Sequence, residues 1–147
     1  MKLTVAWIGK TKSPAIQSLT EEYLKRLKQY AETNGTVVKD EAALLKLSGR
    51  DGRSTRHYLV LLDSRGKQLS SEELAQFIRS HQERNPQPLL FGVGPADGYS
   101  ENARSQADFV LSLGKMTIAH ELARVMLLEQ LYRGFTILKG HPYHLGH

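Results

Sequence analysis

Five consecutive residues, Tyr58-Leu59-Val60-Leu61-Leu62, restrict what this chain can fold into more than any other stretch. A strand with one face in water alternates apolar and polar side chains. A run without alternation is apolar on both faces, and both must be covered. The run is too short for a buried helix and is bounded by polar residues, so it reads as a strand inside a parallel sheet. Helices must then lie on both sides of that sheet, and the rest of the chain has to supply them.

It does so by regular alternation. Residues 3–8, 89–93 and 109–113 read as further strands, and 36–38 as a short one after an Asn34-Gly35 turn. Pro14 suits the first turn of a helix reaching about Tyr30, with Ile16, Leu19, Tyr23, Leu24 and Leu27 at helical spacing. Residues 41–47 look helical, and the polar, basic stretch 48–56 reads as an exposed loop. Residues 64–69 are expected to turn the chain after the central strand. Ser70 followed by Glu73 is a capping box opening a helix to about Arg84, and Asn85-Pro86-Gln87-Pro88 ends it. Ser100 caps a short helix over 101–107, and the last helix covers about 121–138. Strand and helix in turn predict an α/β fold with a mainly parallel sheet. The 147 residues suit a single domain, 1–147.

Composition works mostly by exclusion. There is no cysteine, so disulfides, thiolate metal sites and a cysteine nucleophile are ruled out. No apolar run approaches the roughly 20 residues of a membrane span, and residues 1–9 read as a first strand rather than a signal peptide. A cytoplasmic protein with no membrane partner is expected. The net charge of +5 favours polyanionic partners, nucleic acid first. Lys25, Arg26 and Lys28, and Arg50, Arg53 and Arg56, form loose basic clusters that would equally serve as a solvated surface.

The loop Gly92-Val93-Gly94-Pro95-Ala96-Asp97-Gly98 invites a dinucleotide reading and resists it. Its glycine spacing is one residue too long, Pro95 lacks an N–H to aim at a pyrophosphate, and no acidic residue closes the next strand. A tight turn needing glycine, or a backbone approach to a small ligand at the strand ends, fits better. His141 and His144 have the spacing of a metal pair, but Pro142 breaks a helix there and no third ligand cluster is evident, so no metal is expected. Imidazole and phenol in the tail Gly140-His141-Pro142-Tyr143-His144 can instead hold or stack on a base, or assist a proton transfer. The helix after His120 is apolar on more than one face, which implies burial in the core or in a homodimer. Arg124, Glu129 and Arg133 interrupt it, and each arginine is a candidate structural tie or a substrate contact.

Taken together, Asp97-Gly98-Tyr99-Ser100, Leu113-Gly114-Lys115-Met116-Thr117-Ile118-Ala119-His120, Arg124, Leu128-Glu129-Gln130-Leu131-Tyr132-Arg133 and His141-Pro142-Tyr143-His144 resemble the RlmH (YbeA-like) family over the whole chain. Its members are SPOUT-class enzymes that methylate N3 of a pseudouridine in large-subunit (23S) ribosomal RNA, using S-adenosyl-L-methionine. The resemblance implies a SPOUT-like α/β domain with a C-terminal trefoil knot, a homodimer, and ribosomal RNA as partner, in the large subunit or the assembled ribosome. It implies a cofactor site at Leu62, Gly94, Leu113, Gly114, Lys115, Met116, Thr117 and Ile118, lined by backbone. Arg124, Arg133, His141 and His144 would face RNA, and His144, Tyr143 and His141 would assist catalysis or hold the base. The chain departs from the family at Pro95, usually glycine, at Ala119, usually proline, and at Leu145-Gly146-His147, where a basic residue usually follows the last motif histidine. Two other readings stand beside this one: a non-catalytic RNA-binding ribosome factor of the same fold, and a nucleotide-dependent enzyme using the Gly94 loop.

Overall fold

The computed structural model describes residues 1–143. In chain order the elements are β1 (Lys2–Ile8), α1 (Pro14–Leu27), β2 (Glu32–Val38), α2 (Glu41–Leu47), β3 (Tyr58–Gln68), α3 (Ser71–Arg84), β4 (Leu89–Val93), α4 (Glu101–Gln106), β5 (Phe109–Ser112) and α5 (His120–Lys139). The strands form one sheet in the order β2-β1-β4-β3-β5, and every pairing is parallel.

The two-residue period of a strand sorts its side chains onto two faces. Leu3, Val5, Trp7, Val60, Leu89, Phe91 and Val93 point to one face and pack with Leu27 of α1, Leu74 and Ile78 of α3, and Leu127, Leu128, Leu131 and Phe135 of α5. Ala6, Leu59, Leu61 and Leu90 point to the other and pack with Leu44 of α2, Tyr99, and Ala103 of α4. Leu59, Val60 and Leu61 are all 0 % exposed, as a strand apolar on both faces requires. Each such side chain contributes about 1.5–3 kcal/mol by burial. The Ser70–Glu73 capping box forms in both directions, with Glu73 N–H donating to Ser70 Oγ at 3.0 Å and Ser70 N–H to Glu73 Oε1 at 2.8 Å.

Three local expectations are corrected. Asn34 and Gly35 lie inside β2, opposite Thr4 and Val5 of β1, and make no turn. Gly35 is needed for close packing: a Cβ there would sit 2.6 Å from Leu24 Cδ1 and 2.9 Å from Trp7 Cη2. Helix α1 stops at Leu27 rather than near Tyr30, where the Tyr30 ring stacks on Phe135 at 5.5 Å. Residues 64–69 do not simply turn the chain. Leu62 and Lys67 both register with Leu111 of β5, so the chain bulges outward over the intervening residues and the strand then resumes. Gly66 permits this, since a Cβ there would lie 2.5 Å from the Val110 carbonyl oxygen.

Helix α5 is buried on several faces and packs against both α1 and α3. Gly140 ends it in the left-handed region at φ 69°, the usual glycine C-terminal stop. Among the described residues, no helix is long and apolar enough to cross a membrane.

Candidate functional site

In a parallel sheet the carboxyl ends of adjacent strands open onto one edge, where loops converge and ligands bind. Here the bulge within β3 and the loops after β4 and β5 enclose a cavity of about 200 Å³, lined by residues 62–65, 93–98 and 113–118 together with His120 and Ala123 from the start of α5; Lys115 alone in these segments is not part of its wall. Of the residues expected from sequence at a cofactor site, Leu62, Gly94, Leu113, Gly114, Met116, Thr117 and Ile118 meet here. Lys115 points to solvent.

The glycines explain why the walls are backbone. At Gly94 a Cβ would lie 2.8 Å from the ring of Tyr99, which is buried at 2 % exposure under the loop. Gly98 is held at φ +81°, where a Cβ would meet Arg65 Nη2 at 2.9 Å and Asp63 Oδ2 at 3.0 Å. Gly114 stands at φ +135° with open space beyond it, a conformation that β-branched residues avoid. Its N–H donates to Ser112 Oγ at 3.1 Å and its carbonyl accepts from the same hydroxyl at 3.0 Å. Among the described residues, no three His, Cys, Asp or Glu cluster to hold a metal ion.

Sequence reasoning missed the charged pair in this wall. The Asp63 side chain is 1 % exposed. Its Oδ1 accepts from Arg65 N–H and Nε, and its Oδ2 from Arg65 Nη2 and Tyr99 N–H, all at 2.9–3.0 Å. The Arg65 guanidinium, helped by these backbone donors, holds the Asp63 carboxyl well below the usual carboxylate range. The available signal was an acidic residue closing an all-apolar strand, because a buried carboxylate must find a cation and donors. Asp63→Asn is expected to cost roughly 2–3 kcal/mol at neutral pH by stranding buried donors. A carboxyl depressed on folding contributes stability above its unfolded pKa of about 4 and loses it as pH falls through the lower folded value. Urea denaturation from pH 7 down to pH 2 should therefore show the gap between wild type and variant narrowing below about pH 4.

The arginines and the tail lie elsewhere. Arg124, expected to face RNA, is corrected to a buried tie: it is 0 % exposed. Its Nη1 donates to Thr11 Oγ1 at 2.8 Å and its Nη2 to the carbonyls of Ile8 and Gly9, each at 2.9 Å. Burial lowers its pKa. Glu121, one turn earlier, accepts from the N–H groups of Lys12 and Ser13 at 3.0 and 3.1 Å. The start of α5 thus pins the loop that follows β1.

Arg133 pairs with Glu129 at 2.7 Å, and its guanidinium lies 5.3 Å from the centre of the Tyr143 ring. The Tyr143 hydroxyl donates to Glu129 Oε2 at 2.8 Å and lies 3.3 Å from Tyr23 Oη. Burial, with Tyr23 and Glu129 beside it, raises the Tyr143 pKa. His141 Nδ1 shares a hydrogen bond with the Tyr30 hydroxyl. His144 lies outside the described residues, as do Leu145, Gly146 and His147. Glu129 is nine residues beyond His120 on α5, roughly 14 Å along a helix rising 1.5 Å per residue. Within one chain Arg133, His141 and Tyr143 are therefore not part of the cavity wall.

The fold is similar to that of two solved structures. The chain superposes on 57% of AviRb, a SpoU methyltransferase of Streptomyces viridochromogenes solved with AdoMet, with a TM-score of 0.53 at 15% identity over 90% of this chain. A probable methylase family protein from Haemophilus influenzae Rd KW20 gives a TM-score of 0.57 at 13% identity, covering 96% of this chain and 69% of that one. A family model described as "Predicted SPOUT methyltransferase" matches residues 1–144. Fold and model together define a SPOUT-class methyltransferase.

Among curated relatives, the ribosomal RNA large subunit methyltransferase H of Koribacter versatilis (strain Ellin345) is 60% identical over 147 residues, the whole of both chains. The protein of that name from Geotalea daltonii is 40% identical over 152 aligned residues, covering 98% of this chain and 99% of its own. The chain belongs to the ribosomal RNA large subunit methyltransferase H family.

Proposed function

We propose that the protein transfers a methyl group from S-adenosyl-L-methionine to N3 of a pseudouridine in large-subunit ribosomal RNA. The supporting observation is the glycine-turned cavity at the bulge of β3 and the ends of β4 and β5, in a chain 60% identical to a relative named for ribosomal RNA methylation. The cavity suits this cofactor. Leu62, Val93, Ile118 and Ala123 offer apolar wall for an adenine, and the turns at 94–98 and 113–118 offer backbone donors and acceptors.

The bound cofactor supplies an already activated methyl on a sulfonium. What remains for the chain is alignment, and holding two reactants in line is worth up to about 7–11 kcal/mol in well-oriented intramolecular models. The loops fix one reactant through glycine-permitted backbone geometry and keep water from the apolar wall. The N3 proton must also leave. Asp63 is a poor acceptor, since its ion pair holds it ionised with a depressed pKa. The Tyr143 phenol is protonated at neutral pH and donates to Glu129.

His141, Tyr143 and His144 would then hold the target base, with Arg133 toward the RNA. Since Arg133, His141 and Tyr143 lie outside the wall of their own chain's cavity, a homodimer would bring the tail of one subunit to the cavity of the other. Leu19 on α1 and Leu122 on α5, 43 % and 46 % exposed, are available apolar surface for such a contact. The trefoil knot, the single-domain organisation and a cytoplasmic location belong to the same reading. Two measurements test it. Calorimetry should show heat on adding S-adenosyl-L-methionine, and mass spectrometry of 23S rRNA should show one methylated pseudouridine lost in a deletion strain. A well-folded protein that gives no heat would favour a non-catalytic RNA-binding factor.

A further inference from the structure

Arg65 is the only cation in the cavity wall among the described residues, and its surroundings leave it half committed. A guanidinium has five N–H donors in a fixed fork. In Arg65, Nε and Nη2 grip the two oxygens of Asp63, each at 2.9 Å, and Nη2 also donates to the Tyr99 carbonyl at 2.7 Å. No bond from Nη1 to another described residue accompanies them. The Asp63 carboxylate is buried and the Arg65 side chain is 51 % exposed, so the fork is anchored at its base and open at its tip. Asp63 itself is fixed by Tyr99 N–H at 3.0 Å, and the Tyr99 carbonyl is gripped by Arg104 Nη1 at 2.6 Å. The guanidinium is thus oriented before any ligand arrives, which lowers the entropy cost of binding.

We infer that the open edge of Arg65 binds the carboxylate of the methyl donor's amino-acid end. This assignment rests on the methyltransferase reading above. With Nε and Nη2 engaged, the free Nη1 hydrogens can each donate a charge-assisted hydrogen bond to a carboxylate oxygen. The donor also carries a cationic sulfonium, which a bare arginine in the wall would repel. Asp63 neutralises Arg65, so the pair offers directed donors without net positive charge. The cavity then divides, with the apolar wall for the base and the Arg65 edge for the carboxylate.

The test compares S-adenosyl-L-methionine with decarboxylated S-adenosylmethionine, which lacks only that carboxylate, by calorimetry on the full-length protein and on Arg65→Gln. Wild type should bind the decarboxylated ligand about 10-fold more weakly, equivalent to ~1.4 kcal/mol. Arg65→Gln should weaken S-adenosyl-L-methionine by a similar factor, bind both ligands alike, and leave the decarboxylated ligand within about two-fold of wild type. Arg65→Lys should restore part of the preference. If the variant loses affinity for both ligands equally, Arg65 only props the loop and the assignment falls. If neither affinity changes, it falls as well. Wild-type protein that binds neither ligand would overturn the cofactor reading itself, and this assignment with it.

Discussion

Valine at position 114 is expected to abolish cofactor binding, with no calorimetric heat and no methylated rRNA, while the fold and the proposed dimer persist. Gly114 sits at φ +135° at the rim of the cavity, and a Cβ there meets no protein atom. The damage is therefore to the turn and the space beyond it, rather than to the core. A β-branched residue must leave that region of backbone space or hold a strain of roughly 1–3 kcal/mol. Relaxing the turn moves the backbone groups of 113–118 that form one wall, and it breaks the Ser112–Gly114 bonds. Circular dichroism and sedimentation should match wild type. The same variant tests how the site is shared. Gly114→Val and Tyr143→Ala, each inactive alone, should regain activity when co-expressed, because one of the two sites in a mixed dimer draws a sound cavity and a sound tail from different chains. No regained activity would place both halves of the site in one chain.

Arg124→Met is the second large effect, and it acts on stability. The arginine is 0 % exposed and satisfies two carbonyls and a hydroxyl of the loop after β1. Methionine keeps an apolar stem but removes the guanidinium that donates to those acceptors and lies 5.9 Å from the centre of the Trp7 ring. Hydrogen bonds to a charged group contribute about 1.5–3 kcal/mol each, partly offset here because a buried charge is also removed. A net loss of about 3–4 kcal/mol in urea denaturation is expected. That is a large share of the 5–15 kcal/mol typical of a domain. A variant as stable as wild type would return Arg124 to the candidates for RNA contact.

Arg124 also marks where sequence reading ran short. An arginine on an otherwise apolar helix looks like a side chain seeking solvent or phosphate. Its burial is set by the carbonyls of Ile8 and Gly9, more than a hundred residues earlier, and no helical period reports such a partner. The central strand, the Ser70 capping box and the bounds of α2 were legible because each depends on neighbours within a few residues. The Asn34-Gly35 pair misled for the opposite reason. The dipeptide favours turns locally, yet Leu24 and Trp7 from other elements fix it in a strand. Leu62, Gly94, Leu113, Gly114, Met116, Thr117 and Ile118 of the cavity wall were expected at a cofactor site because the resemblance supplied them. Asp63 and Arg65 were not, because residues 64–69 read as a connecting turn, whereas they form an outward bulge in a continuing strand.

The Arg124 tie has a kinetic side as well. The Ile8 carbonyl leaves the ribosome without its Arg124 donor until residue 124 has followed it. At synthesis rates of about 5–20 residues per second, that interval is roughly 6–23 s. Strand β5 and helix α5, which close one edge and one face of the sheet, arrive later than nearly everything they cover. The nascent chain must therefore stay incompletely closed until α5 has emerged. A product truncated before α5 would keep Trp7, Phe91 and the face around them open to water, and so present itself to proteases instead of persisting as a defective subunit.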